Sequence, residues 1–189
     1  MKKYIVIGFV LISFLAKAQD VSVEKNLNSV QLGLLSLSYQ NETRLDRKLS
    51  LRSEIGLGTG TASIKYSDGH TETSFLIVPF VNVEPRWYYG LDRRERLKRK
   101  TINNSSNYFS LLTTFVSGSN AIVNTKGFEA APFITITPEY GFRRASKHFF
   151  SEYSVGVGYK HNFLDKSYSY NIHENELNYD FQWKFGYMF

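Results

Sequence analysis

The chain has no cysteine, so a thiolate nucleophile, a thiolate metal site, a disulfide and a lipidated cysteine are all excluded. Its candidate chemistry lies with histidine, carboxylates and basic residues. His148 stands close to Ser151 and Glu152, the residue types a lipid hydrolase uses as base, nucleophile and orienting acid. In an extended chain Ser151 faces away from the side shared by His148 and Glu152, so a triad forms only across a bulge, and no catalytic residue is expected. His70, His161 and His173 lack the paired spacing of a zinc site, so neither metal nor cofactor is expected. Gly56-Leu57-Gly58 and Gly156-Val157-Gly158 are followed by no helical pattern and are not phosphate loops. Residues 93–100 carry six bases and one acid, a cluster able to meet nucleic acid, lipid phosphates or another polyanion. It reads more simply as a solvated connection that touches lipid phosphates.

The elements that would position these groups begin with an export signal. Lys2 and Lys3 precede an almost unbroken apolar run over residues 4–15, and Ala16-Lys17-Ala18 offers small residues where a signal peptidase reads. Twelve apolar residues are too few for a membrane-spanning helix, which needs ~20. The expected division is a signal peptide at 1–18 and one barrel domain at 19–189. Cleavage removes Lys2, Lys3 and Lys17 and no acid, so the net charge falls from +6 to +3 and no nucleic-acid partner is expected.

The mature chain alternates with period two. Leu177, Tyr179, Phe181, Trp183, Phe185, Tyr187 and Phe189 share one face, and Asn178, Asp180, Gln182 and Lys184 stand on the other. Aromatic residues make up 16% of the chain, which favours strands. The alternation predicts strands near 30–45, 48–60, 74–89, 107–117, 128–143, 147–161 and 177–189. Leu34 and Leu35 blur the phase of the first, where a bulge is expected. Short connections are expected at 46–47 and 144–146, with a basic one at 92–100, and long ones at 61–73, 118–127 and 162–176.

A soluble sandwich or a lipocalin-like barrel could be built from the same strands with their apolar faces turned inward. Three features favour a membrane barrel. The apolar faces end in aromatics, as at Trp87 with Tyr89 and Tyr140 with Phe142; the polar faces mix glycine, hydroxyls and both charges; and the chain is exported without a lipid anchor. The predicted fold is all-β, a transmembrane antiparallel up-and-down barrel of about eight strands. Alternation then turns inward Arg52, Arg86, Arg143, Lys160 and Lys184 against Glu54, Glu84, Glu129, Glu139, Glu152 and Asp180. In a barrel this small, such near-balanced charge is expected to fill the lumen as an ion-pair network.

The run Tyr179, Phe181, Trp183, Phe185, Tyr187 and Phe189 resembles the insertion signal of Gram-negative outer-membrane barrels. The segments Glu42-Thr43-Arg44-Leu45-Asp46-Arg47-Lys48-Leu49, Glu84-Pro85-Arg86-Trp87-Tyr88-Tyr89 and Pro138-Glu139-Tyr140-Gly141-Phe142-Arg143 resemble strand-turn segments of small porin-family barrels of Bacteroidota, broadly OmpX-like or OmpA-like. The resemblance covers essentially the whole mature chain. It implies a monomeric barrel of the cell outer membrane whose partners are outer-membrane lipids and the barrel-assembly machinery, with a structural or surface-interaction role carried by long loops. A minor solute pore and a lipid-modifying enzyme are the alternatives. A periplasmic N-terminus requires an even strand count, so a short first strand is expected at residues 19–26.

Overall fold

The computed structural model describes residues 21–65, 68–118, 121–127, 131–164 and 173–189. The signal expected at 1–18 and the inward Glu129 lie outside them. Strands β1 (Asn26–Gly33), β2 (Ser36–Arg44), β3 (Leu49–Lys65), β4 (Thr71–Trp87) and β5 (Asn107–Val116) pair with their chain neighbours, antiparallel throughout. A two-residue β6 (Val123–Asn124) adds to the edge of β4. The sheet continues through β7 (Phe133–Ala145), β8 (Phe149–Asn162) and β9 (Asn175–Met188), and β9 pairs with β1 from Ser29 opposite Met188 to Gly33 opposite Lys184. That last ladder closes an eight-stranded up-and-down barrel, in which no long strand is left at a sheet edge over its whole length.

One end, here the turn end, carries the C-terminus and the connections 45–48, 88–106 and 146–148. The other, the loop end, carries the described residues 34–35, 68–70, 117–118, 121–127, 131–132, 163–164 and 173–174. The alternation read from the sequence is the alternation of the wall. In β9, Leu177, Tyr179, Phe181, Trp183, Phe185 and Tyr187 are exposed on the outside, while Lys184, Gly186 and Met188 are buried inside. A strand with one apolar face sits stably in this register, because a slip of one residue would exchange the faces.

Four expectations are corrected. The strand read over 30–45 is the hairpin β1–β2, turned at Leu34-Leu35 where a bulge was expected. That hairpin supplies the eighth strand, so residues 21–25 of the proposed first strand are not a strand, and Gln19 and Asp20 lie outside the described residues. The connection expected at 61–73 is largely strand, since β3 and β4 stay paired up to Lys65 opposite Thr71. The basic connection is no tight turn: residues 88–106 contain helix α1 (Leu91–Arg96) and a 3-10 turn (Ile102–Asn104).

These connections close the turn end. Val23, Tyr88, Leu91 and Tyr108 form a buried apolar cluster against which Val21 packs. The segment carrying Val23 is held by its N–H donating to the Arg47 carbonyl at 2.9 Å, and Glu24 N–H donates to Asn104 Oδ1 at 2.7 Å.

Candidate functional site

Directly above that cluster, alternation on six strands delivers eight charged side chains to the lumen. They are Glu42 from β2, Arg52 and Glu54 from β3, Glu84 and Arg86 from β4, Arg143 from β7, Glu152 from β8 and Lys184 from β9, all buried. Four acids face four bases. Arg52 bridges Glu84 at 2.6 Å, Glu54 at 3.2 Å and Glu152 at 3.2 Å. Arg86 Nε meets Glu84 at 2.9 Å, and Arg143 joins Glu42 at 2.7 Å to Glu152 at 2.8 Å. Lys184 reaches Glu54 at 3.2 Å. Glu152 is the hub, shared by Arg52, Arg86 and Arg143.

Neutral groups satisfy further lone pairs of Glu54 and Glu42, as a dry site demands. Gln31 Nε2 and Ser38 Oγ donate to Glu54 Oε1 at 2.8 and 2.6 Å, and Asn82 Nδ2 donates to Glu54 Oε2 at 3.1 Å. Ser50 Oγ and Asn104 Nδ2 donate to Glu42 Oε1 at 2.6 and 2.9 Å. Below, the Arg86 guanidinium lies 4.3 Å over the Tyr108 ring and that of Arg143 lies 4.9 Å over Phe150, so each planar cation has carboxylate on its edge and an aromatic on its face.

Of the inward charges named from the sequence, Arg52, Glu54, Glu84, Arg86, Arg143, Glu152 and Lys184 are brought together here. Glu139, Asp180 and Lys160 face inward nearer the loop end and stay apart from the layer. Gln182 Nε2 donates to Asp180 at 2.6 Å and to Glu139 at 3.4 Å, while Lys160 pairs with Glu176 at 3.5 Å. Glu42 was missed, because the blurred phase around Leu34-Leu35 hid the run Ser38, Gln40, Glu42, all buried inside. That run was readable once the turn is placed.

His148 is exposed in the 146–148 turn and stacks on Tyr187, centroids 5.6 Å apart, so it does not face inward with Glu152. His161 meets Asn175 at 2.9 Å, and His70 stands 4.0 Å from Glu72. Among the described residues no group of three His, Asp or Glu is placed to hold a metal ion.

The outer wall completes the geometry. Around the turn end, Trp87, Tyr89, Phe109 and Tyr140 are in ring contact in sequence, as are Phe142, Tyr153 and Trp183, and then Phe185, Phe149 and Tyr187. Phe189 lies against Tyr39, closing the aromatic series across the β9–β1 seam. Fold and site together define a class: a small closed antiparallel barrel with a layer of charges buried within and a series of aromatic side chains turned outward round its turn end. No family model, curated protein or solved structure matches this chain.

Proposed function

We propose that the protein is an integral outer-membrane barrel of the small porin-like type, exported by residues 1–18, that does not conduct and serves a structural or surface-interaction role through its loop end. The observation that carries this is the inversion of the wall. Arg52, Glu42, Glu84 and Arg143 are 0% exposed inside, whereas Tyr179 is 76% and Leu177 68% exposed outside. In water that arrangement strands apolar area that burial would otherwise stabilise by ~25 cal/mol per Å². In a bilayer it is the low-energy one, with backbone groups paired round the closed sheet and an apolar band facing lipid.

The turn end, with its aromatic ring contacts and basic connection, faces the periplasm in this reading, and the outer-membrane lipids are the first partners. The charged layer and the apolar cluster beneath it act as a plug. Heat-modifiable migration tests the reading. The mature chain folded in detergent is expected to run faster unboiled than boiled, because a closed barrel resists the denaturing detergent. A chain that is folded and soluble without detergent, and shows no shift, would overturn it.

A further inference from the structure

The strands do not reach one height. Gly33 opposite Lys184 ends the β1–β9 ladder, and Ser36 opposite Gly58 ends the β2–β3 ladder. Beyond the Leu34-Leu35 turn, whose Leu35 carbonyl accepts from Thr59 N–H at 2.8 Å, β9 continues over residues 175–183 and β3 over residues 59–65. Among the described residues neither run has a strand on its hairpin side. A strand tilted ~40° gains about 2.5 Å of height per residue, so the β3 run rises about 17 Å and the β9 run about 22 Å above the hairpin. The gap between them is two missing strands wide. The comparable step where β4 outruns β5 is covered, since β6 pairs with Leu76 and Ile77 and Ile122 N–H donates to the Ile77 carbonyl at 2.8 Å.

Behind the notch lies a vestibule with walls of different character. On the β3 side, a Cβ built on Gly60 would meet nothing within 4 Å, and one on Gly58 would meet the Phe80 ring at 3.5 Å. Alternation turns the half-buried Val78 and Phe80 of β4 into this space, with the buried Leu76 beside them, facing Asn178 and Asp180 of β9. The ion layer lies below, starting at Glu54 and Lys184. Outside, Phe181, Tyr179 and Leu177 carry the apolar surface up the β9 edge. On β3, which borders the notch, Thr59 and Thr61 stand opposite Ile77 and Phe75 of β4, so a polar strip flanks the notch at a height where the next strand is apolar.

An open sheet edge is not tolerated in hydrocarbon unless water or other polar groups satisfy its N–H and C=O. Resting on the membrane reading above, we propose that the notch is a lateral lipid-binding site. A lipid of the surface leaflet seats its ester and headgroup oxygens, with vestibule water, on the open edges and Thr59 and Thr61, and one acyl chain passes inward to pack on Val78 and Phe80.

The cysteine-free chain makes the test direct. A small fluorophore is placed on Val78→Cys, inside the vestibule, and separately on Phe181→Cys, outside, and each is reconstituted into nanodiscs of brominated phosphatidylcholine. Heat-modifiable migration first verifies folding of every variant. Both reporters are expected to be quenched by the brominated chains, and Gly60→Trp, which fills the notch, is expected to lower quenching at position 78 by about two-fold while leaving position 181 unchanged. Quenching at 181 without quenching at 78 would overturn the lipid site and leave the membrane reading standing. So would quenching at 78 that Gly60→Trp does not alter. No quenching at either position would overturn both.

Discussion

Arg86 grips both carboxylate oxygens of Glu152, Nη2 to Oε1 at 2.6 Å and Nη1 to Oε2 at 2.8 Å, and holds Glu84 with its Nε. A bidentate pair is geometrically specific, and here it is the centre of a network whose other members lean on the same carboxylate. Glu152→Ala leaves Arg52, Arg86 and Arg143 sharing too few acids in a dry interior, and is expected to destabilise the barrel by about 3–5 kcal/mol. Because the pair acts as a unit, adding Arg86→Ala is expected to restore part of that loss, with a coupling energy of about 1 kcal/mol or more. Urea unfolding of the four chains of this cycle in one lipid gives the answer, and simple additivity would dissolve the hub.

The same layer bears on conduction. Eight charged side chains in mutual contact, with the Val23, Tyr88, Leu91 and Tyr108 cluster beneath, leave ions no unpaired group to move between. The wild-type protein is expected to give no resolved current steps in planar bilayers. The double variant Arg52→Ala with Glu84→Ala removes a cation and an anion from the layer while leaving the apolar cluster in place, and it is expected to stay silent as well. Steady steps from the wild type would make the barrel a pore.

Much of this was legible in the chain before folding, and the reason is mechanical. Period-two alternation assigns every residue of a strand to one face, so the inward set from Arg52 to Lys184 and the outward aromatics of β9 follow from counting. Three things did not follow. The two central residues of the turn, Leu34 and Leu35, are not turn formers, and the flanking Gly33 and Ser36 mark the reversal only weakly, so the turn was missed and hid Glu42. Residues 61–63, Thr-Ala-Ser, read as loop because small polar residues have low strand propensity, yet pairing with the apolar half of β4 holds them extended. Which charges meet depends on register between strands distant in sequence, as with Arg52 and Glu152, and alternation fixes only the face.

Asp92 ties the basic helix to the barrel. Its carboxylate pairs with Lys48 and, at 3.3 Å, with Arg47, and the hydrogen bond from Lys48 holds its carboxyl below the usual aspartate range. A carboxyl with a lowered folded-state pKa stabilises above its unfolded-state pKa, and that contribution fades as pH falls through the lowered value. The pair is half exposed, so the effect is local and worth less than about 1 kcal/mol. Amide exchange of residues 88–106 in Asp92→Asn is expected to be faster than wild type at neutral pH. Acidifying the wild type through and below the usual aspartate range is expected to reproduce that acceleration, whereas the variant should show no such step beyond the ordinary pH dependence of exchange. Equal exchange in both chains at neutral pH would show that the pair holds nothing.

The depth of the β1–β2 hairpin in a bilayer can be read from two leucines. Leu35 at its tip and Leu45 in the turn-end connection are similarly exposed, 67% and 56%, so in a water-soluble barrel an arginine at either would be nearly neutral. In a bilayer the two differ. Leu45 sits beyond the aromatic series in the interfacial zone, whereas Leu35 tops a short hairpin beside the apolar Phe181 and Tyr179 of β9. Leu45→Arg is therefore expected to cost less than about 1 kcal/mol, and Leu35→Arg about 2 kcal/mol, the lower end of the lipid-facing range because water in the notch can receive the guanidinium. Urea unfolding in phospholipid vesicles measures both. Equal, small effects would lift the hairpin tip out of the hydrocarbon, and the open strand edges above it would then simply be hydrated.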